Sequence, residues 1–234
     1  AQLSRGLGDV YKRQIRFSIQ ETQDLIHHAQ SERVGLNSII LAAINDLIFK
    51  ELAPNSNPSQ WLFPVNMRGD IDSSYHLKNA STGIFVQAHK HSEASDLHRN
   101  IKSSLVNNEH WGVWYFGQCS RLFNRPMLRR SIKKRNKKHF HIGTFSNMGA
   151  WKSKTAKNEM WFVVAPGSPN YPVGVIPLMW NDQLGISLRI HPSILGKREI
   201  AKKVASRFHQ QLLSLISTSS KSVNSDCLLY TSPS

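Results

Sequence analysis

The chain is poor in cysteine, in acidic residues and in long apolar runs. Only Cys119 and Cys227 are cysteines in 234 residues, so no disulfide-stapled scaffold can form. Such usage suits a reducing cytoplasm. Asp and Glu number 15 against 30 Lys and Arg, a formal net charge of +15. That balance favours anionic partners: nucleic acid, anionic lipid or phosphate-bearing cofactors. No apolar stretch approaches the ~20 residues that span a bilayer, and no internal repeat is evident. What the chain does have is 40% hydrophobic residues, enough for a substantial core.

The two ends encode one piece of DNA read in opposite directions. Asp9-Val10-Tyr11-Lys12-Arg13-Gln14 can be written GAT GTG TAT AAG AGA CAG. The reverse complement, shifted by one base, translates as Cys-Leu-Leu-Tyr-Thr-Ser, which is Cys227 to Ser232. This inverted repeat resembles the transposon end used in sequencing-library preparation. Residues 1–14 and 227–234 are therefore expected to be translated adaptor and are set aside from fold reasoning. The expected biological segment is 15–226, with Cys119 as its lone cysteine.

Within it, Ser18 and Glu21 form a capping-box pattern opening a helix that should end near Gly35. Asn37 is a natural N-cap for a second helix, Ser38 to Leu52, apolar almost all round and so expected to be buried. Strand patterns cover 61–67, 83–87, 140–145 and 160–164, and a helical period covers 92–106. Residues 109–136 read as mostly helical, broken at Pro126. Residues 173–180 and 183–190 should form a hairpin about Asn181-Asp182. In its second arm Leu184, Ile186, Leu188 and Ile190 alternate with Gly185, Ser187, Arg189 and His191, so one face should be buried. A closing helix spans about 197–216. This order gives an α/β (α+β) layout, a mixed β-sheet flanked by helices.

Several segments, in order, carry a resemblance. Val34-Gly35-Leu36-Asn37-Ser38-Ile39-Ile40-Leu41-Ala42-Ala43 is similar to the element that opens a buried helix in wax ester synthases, with Ser38 where Asp is usual. Phe63-Pro64-Val65-Asn66-Met67-Arg68 looks like a family strand ending in arginine. Gly83-Ile84-Phe85-Val86 matches the Gly-x-Phe-Val of condensation domains. Phe145-Ser146-Asn147-Met148-Gly149 resembles a Val-Ser-Asn-Val-Pro-Gly loop without its proline. Together these resemble the C-terminal lobe of the acyltransferase superfamily that includes non-ribosomal-peptide condensation domains, wax ester synthases and chloramphenicol acetyltransferase. The resemblance implies a chloramphenicol acetyltransferase-like lobe and, in the parent protein, acyl transfer from a thioester to a hydroxyl or amine. The donor would be acyl-CoA or a phosphopantetheine-linked acyl group, with no metal. It also implies a partner, the N-terminal lobe, carrying the general-base histidine of a His-His-x-x-x-Asp-Gly motif. His27-His28 mimics that motif but lies inside an amphipathic helix without the Gly, so these are read as solvent-facing.

The resemblance assigns Arg68 to anchor the catalytic loop by pairing with the motif aspartate; the plainer reading is a strand-end charge beside Asp70 and Asp72. Ser146, Asn147 and Gly149 belong to the loop bordering the tunnel, as oxyanion donors or as a self-bonded turn. Asn37, Phe85 and Trp180 are candidate tunnel lining, with a cap for Asn37 and core for Phe85, Trp161 and Trp180 favoured instead. His139 and His141 start a metal pattern that lacks a third ligand, so no metal is expected. Within the basic run 129–138, Arg129, Arg130, Lys133 and Lys134 are candidates for binding donor phosphates or an anionic membrane surface, against a solvated helix face. Poor aromatic interleaving there makes nucleic acid the weakest partner. Location is expected to be cytoplasmic, or peripheral to the inner membrane. The rival readings are a fragment of a peptide-forming condensation domain and a non-catalytic basic binding module.

Overall fold

The computed structural model describes residues 11–52, 59–68, 80–119, 122, 124, 126–130, 141–155, 159–164, 170–195 and 198–226. One sheet organises them, with strands β1 (Tyr11–Arg16), β2 (Ser59–Asn66), β3 (Ser81–Ala88), β4 (His141–Phe145), β5 (Ala150–Trp151), β6 (Val173–Trp180) and β7 (Gln183–Ile190). The order is β1-β7-β6-β4-β2-β3, with β5 also on β6. β2, β4 and β6 run parallel. β1/β7, β6/β7 and β2/β3 are antiparallel, so the sheet is mixed as expected. Helices α1 (Ile19–Ser31), α2 (Leu36–Glu51), α3 (Ala94–Val106), α4 (Glu109–Cys119) and α5 (Arg198–Asp226) flank it, with one further turn at Pro192–Leu195.

Helix α1 starts where its sequence says. Ser18 Oγ accepts from Glu21 N, and Glu21 Oε2 accepts from Ser18 N at 2.7 Å, the reciprocal capping box. Buried Thr22 then joins the helix to the sheet: its hydroxyl donates to Ser18 O and accepts from Leu184 N at 3.0 Å. The helix ends at Ser31, four residues before Gly35. Val34 N reaches back to Ala29 O and Arg33 N to Gln30 O, a Schellman closure with Arg33 in the left-handed region at φ 55°.

Asn37 is not the N-cap of α2; Gly35 is, and no side chain caps it. Instead Gly35 N donates to His98 Nδ1 at 3.4 Å, so a residue of α3 takes the amide of the N-cap residue itself. α2 is buried as anticipated, from Ser38 through Phe49 with few gaps. At its centre Asn45, fully buried, accepts from Trp61 Nε1 at 3.0 Å and donates to His89 O at 2.9 Å. Its C-terminal end is held by Arg207 and Lys203 of α5, both paired with Glu51.

The core lies between the helices and one sheet face: Trp61, Ile84, Val86, Val175, Leu184, Ile186 and Leu188 meet Ile40, Ile44, Leu97, Val204 and Phe208. Two expectations fail on the other face. Met160–Val164 is not a strand but an irregular strap. Met160 and Phe162 lie over Gly185, where an added Cβ would collide with both side chains. The strap is apolar because it covers the sheet, not because it joins it. β7 is therefore buried on both faces, Ser187 and Arg189 included. The hairpin turn is as expected, with Asn181 (φ 48°) and Asp182 (φ 63°) both left-handed, a type I′ geometry. Pro126 opens a helical stretch, 126–130, rather than breaking one, and Asn124 Oδ1 accepts from Met127 N. α5 runs ten residues past the expected 216.

Residues 11–14, set aside as adaptor, supply the backbone of β1, pairing Tyr11 with Ile190 through Gln14 with Ser187. Their described side chains are exposed or half-buried; Ile15 is the first buried one along the chain. Residues 1–10 and 227–234 lie outside the described residues.

Candidate functional site

Because β2, β4 and β6 are parallel, their carboxyl ends emerge on one edge of the sheet, the edge where open α/β sheets place ligand sites. Three groups of singled-out residues follow those ends: Arg68 after β2, Ser146–Gly149 after β4, and Trp180 closing β6. They come from segments spread over more than a hundred residues of the chain and are gathered by topology alone.

Arg68 is exposed, in a turn where its own amide donates to Asn66 Oδ1 at 3.1 Å. Asp70 and Asp72 lie outside the described residues. The Ser146 loop is a continuation of sheet pairing. Ser146 N donates to Val175 O, Met148 N to Pro177 O, and Met179 N to Gly149 O, so the loop tracks β6 from β4 into β5. Asn147 Oδ1 accepts from Gly149 N at 2.9 Å, closing a tight turn that Gly149 permits with φ 76°. Asn147 is exposed, and this bond through its oxygen is the self-bonded turn of the plainer reading. The hydroxyl of Ser146 is half-buried. Trp180 is half-buried, with Trp161 of the strap stacked on it at 5.2 Å. Trp161 is 56% exposed, which corrects its expected place in the core.

Two candidates lie elsewhere. Asn37 is half-buried on the first turn of α2, beside the Ser38–His98 contact on the helical side. Phe85 points away from the helical core and joins an aromatic row, 5.3 Å from the ring of His141, which is in turn 5.2 Å from Tyr171. His141 is thus packed among rings; His139, Lys133 and Lys134 lie outside the described residues. No group of three metal-ligating side chains occurs among the described residues. Arg129 and Arg130 are exposed on the 126–130 stretch. His27 is exposed and His28 half-buried on α1.

Two features were not anticipated. α4 borders this same edge, since Thr82 of β3 donates its hydroxyl to His110 O, and it exposes Tyr115 and Phe116. Its apolar-all-round sequence was the available signal. Ser187 and Arg189 are buried under the strap, and nothing in an alternating strand foretells that cover.

Along this edge stand exposed Arg68 and Asn147, half-buried Ser146 and the Trp180–Trp161 stack. No histidine belongs to the three groups, and no His-His-x-x-x-Asp-Gly stretch occurs in the sequence.

No protein-family profile matches the chain, and no curated protein matches it. Solved structures do. Trichothecene 15-O-acetyltransferase from Fusarium sporotrichioides aligns at TM-score 0.63 and 14% identity, over 90% of this chain and 47% of that one. The condensation domain of the Monacolin K polyketide synthase MokA aligns at 0.60 and 10% identity, over 89% and 47%. The epimerization domain from the third module of tyrocidine synthetase B aligns at 0.57 and 15%, over 89% and 48%. The chain spans about half the length of these structures. Among the described residues no helix is long and apolar enough to cross a membrane. The chain has the condensation-domain and chloramphenicol acetyltransferase-like fold.

Proposed function

We propose that this chain is the C-terminal lobe of a condensation-type acyltransferase that moves an acyl group from a thioester to a hydroxyl or amine. The observation that carries this reading is the gathering of Arg68, the Ser146–Gly149 loop and Trp180 at one sheet edge, within a fold shared by a condensation domain and an O-acetyltransferase. The N-terminal lobe would bring the general-base histidine to that edge. Arg68, exposed here, would pair with the aspartate of the same motif and hold its loop. The Asn147 amide and Ser146 hydroxyl would donate to the developing oxyanion, a contribution of ~3–4 kcal/mol per donor. Gathering donor and acceptor between two lobes would add proximity to base catalysis. The donor is acyl-CoA or a carrier-linked acyl group. The exposed Arg129 and Arg130 suit its phosphates or an anionic membrane surface.

The test is acceptor-dependent thiol release from a panel of acyl-CoA thioesters. The chain alone should release none. Joined to its upstream lobe it should turn over, and Arg68→Ala should then lower kcat/KM by about 10²-fold or more, because a buried partner carboxylate loses its ion pair, at ~3–5 kcal/mol. Arg68→Ala should leave the stability of the isolated chain within about 0.5 kcal/mol, as for any exposed site. Turnover by the chain alone, or an indifferent Arg68→Ala in the joined protein, overturns the reading.

A further inference from the structure

Helix α4 packs on β3 and α3, yet His110 is its one buried residue. From Trp111 to Ser120 the sequence has no charged residue, and four of the side chains are aromatic. Trp111 stacks on Tyr115, one turn on, at 5.7 Å. Tyr115 is 59% exposed and Phe116 49%. The apolar surface continues past the helix with exposed Leu122 and Met127. Open apolar surface in such a series marks a contact site, and the charge around it says of what kind. From His110 to Lys138 the sequence holds nine Lys and Arg and no Asp or Glu. Of these cations Arg129 and Arg130 are exposed, a few residues beyond Met127. Rings, aliphatic side chains and cations therefore follow one another along a single stretch of chain, and no carboxylate interrupts them.

We propose that α4, with Leu122 and Met127, seats this chain in an anionic lipid surface, while Arg129 and Arg130 meet the lipid phosphates. Tyr and Trp favour the headgroup level, where an apolar ring and a polar atom are both matched. An aromatic helix beside basic residues has the composition of an anchor that lies in the membrane plane. Each cation near an anionic bilayer adds about fivefold to partitioning. A nucleic-acid strand would meet the rings and the cations but leave Leu122 and Met127 in water. A second copy would cover the apolar side chains but bring its own cations to the same place. Lipid answers both features. This choice commits to one of the two anionic partners proposed above for Arg129 and Arg130. The binding needs no acyl transfer, so either proposal can fail without the other. Where acyl transfer holds, docking would bring the carboxyl-end loops to the bilayer, since α4 borders that edge.

The experiment is flotation of the full chain, with reductant, on vesicles of phosphatidylcholine mixed with phosphatidylserine, against phosphatidylcholine alone. Brominated phosphatidylcholine in the mixed vesicles reports insertion by quenching tryptophan fluorescence, which charge attraction alone does not produce. The chain should float with the mixture, bind phosphatidylcholine alone roughly tenfold or more less tightly, and be quenched by the brominated lipid. Arg129→Gln with Arg130→Gln should weaken binding to the mixture by roughly tenfold or more. Tyr115→Ser with Phe116→Ser should weaken it by roughly tenfold or more and reduce the quenching, with an unchanged circular dichroism spectrum, because both side chains are exposed. If that pair does not fold, Leu122→Ser with Met127→Ser decides in its place. No flotation, equal binding to both vesicles, binding without quenching, or full affinity in the serine variants overturns the proposal. Tighter binding of a single-stranded oligonucleotide through the same residues overturns it too, in favour of nucleic acid.

Discussion

Asn45 shows how one buried polar side chain can order a helix–sheet contact. Its amide serves two partners from different elements, the Trp61 indole and the carbonyl of His89. Asn45→Ala should destabilise the chain by about 1–3 kcal/mol, because the buried Trp61 indole N–H loses its acceptor, while the His89 carbonyl keeps Ser92 N. Urea unfolding with an unchanged slope checks it, and a loss under 0.5 kcal/mol contradicts it. Glu21 gives a pH dependence. The backbone amide of Ser18 holds its carboxylate below the usual pKa, with smaller help from the Ser18 hydroxyl and His209 against the opposing effect of burial. A depressed folded-state pKa means the contribution is complete above the unfolded value and fades as pH falls through the folded one. The stability advantage of the wild type over Glu21→Ala should therefore be present at about pH 7 and fade as the pH falls below the ordinary glutamate range. An advantage that persists at the acid end contradicts the assignment. At this scale the sequence was legible where the interaction is local. Ser18 and Glu21 are three residues apart, whereas the partners of Asn45 are 16 and 44 residues away.

Among the elements, the hairpin and the buried helix were readable because their signals are self-contained: Asn181-Asp182 between apolar arms, and an apolar sequence from Ile39 to Ile48. The strap was not. Met160–Val164 has the composition of a strand, but composition reports burial and not pairing. The alternation in β7 suggested one wet face, as antiparallel strands often have, until the strap covered it. The N-terminus of α2 was missed for a related reason: its amide is met by His98, 63 residues on. The C-terminus of α1 holds an avoidable strain. Arg33 occupies a left-handed position that glycine fills without penalty. Arg33→Gly should raise stability by about 1 kcal/mol, read as a higher melting temperature. A fall would show that the Arg33 side chain contributes more than its backbone costs.

For the whole molecule, the candidate edge was legible as residues and not as a place. Arg68, Asn147 and Trp180 could be named from their motifs, but only the parallel order of β2, β4 and β6 puts them side by side. That edge borders α4, which leaves Tyr115 and Phe116 exposed; Leu122, just beyond it, is 86% exposed. Apolar surface of this kind marks a contact site. Sedimentation of the chain with reductant present, to silence exposed Cys119, should show concentration-dependent self-association. The pair Phe116→Lys and Leu122→Lys should weaken it, and a monomer at all concentrations contradicts it. The central proposal is that a second lobe supplies the chemistry, and the most direct measurement is the genomic sequence across the Gln14–Ile15 junction. If the proposal holds, the natural frame diverges from this chain at that junction and continues upstream, reaching a His-His-x-x-x-Asp-Gly stretch within some tens of residues. A start codon close to Ile15, with no such stretch before it, would contradict it.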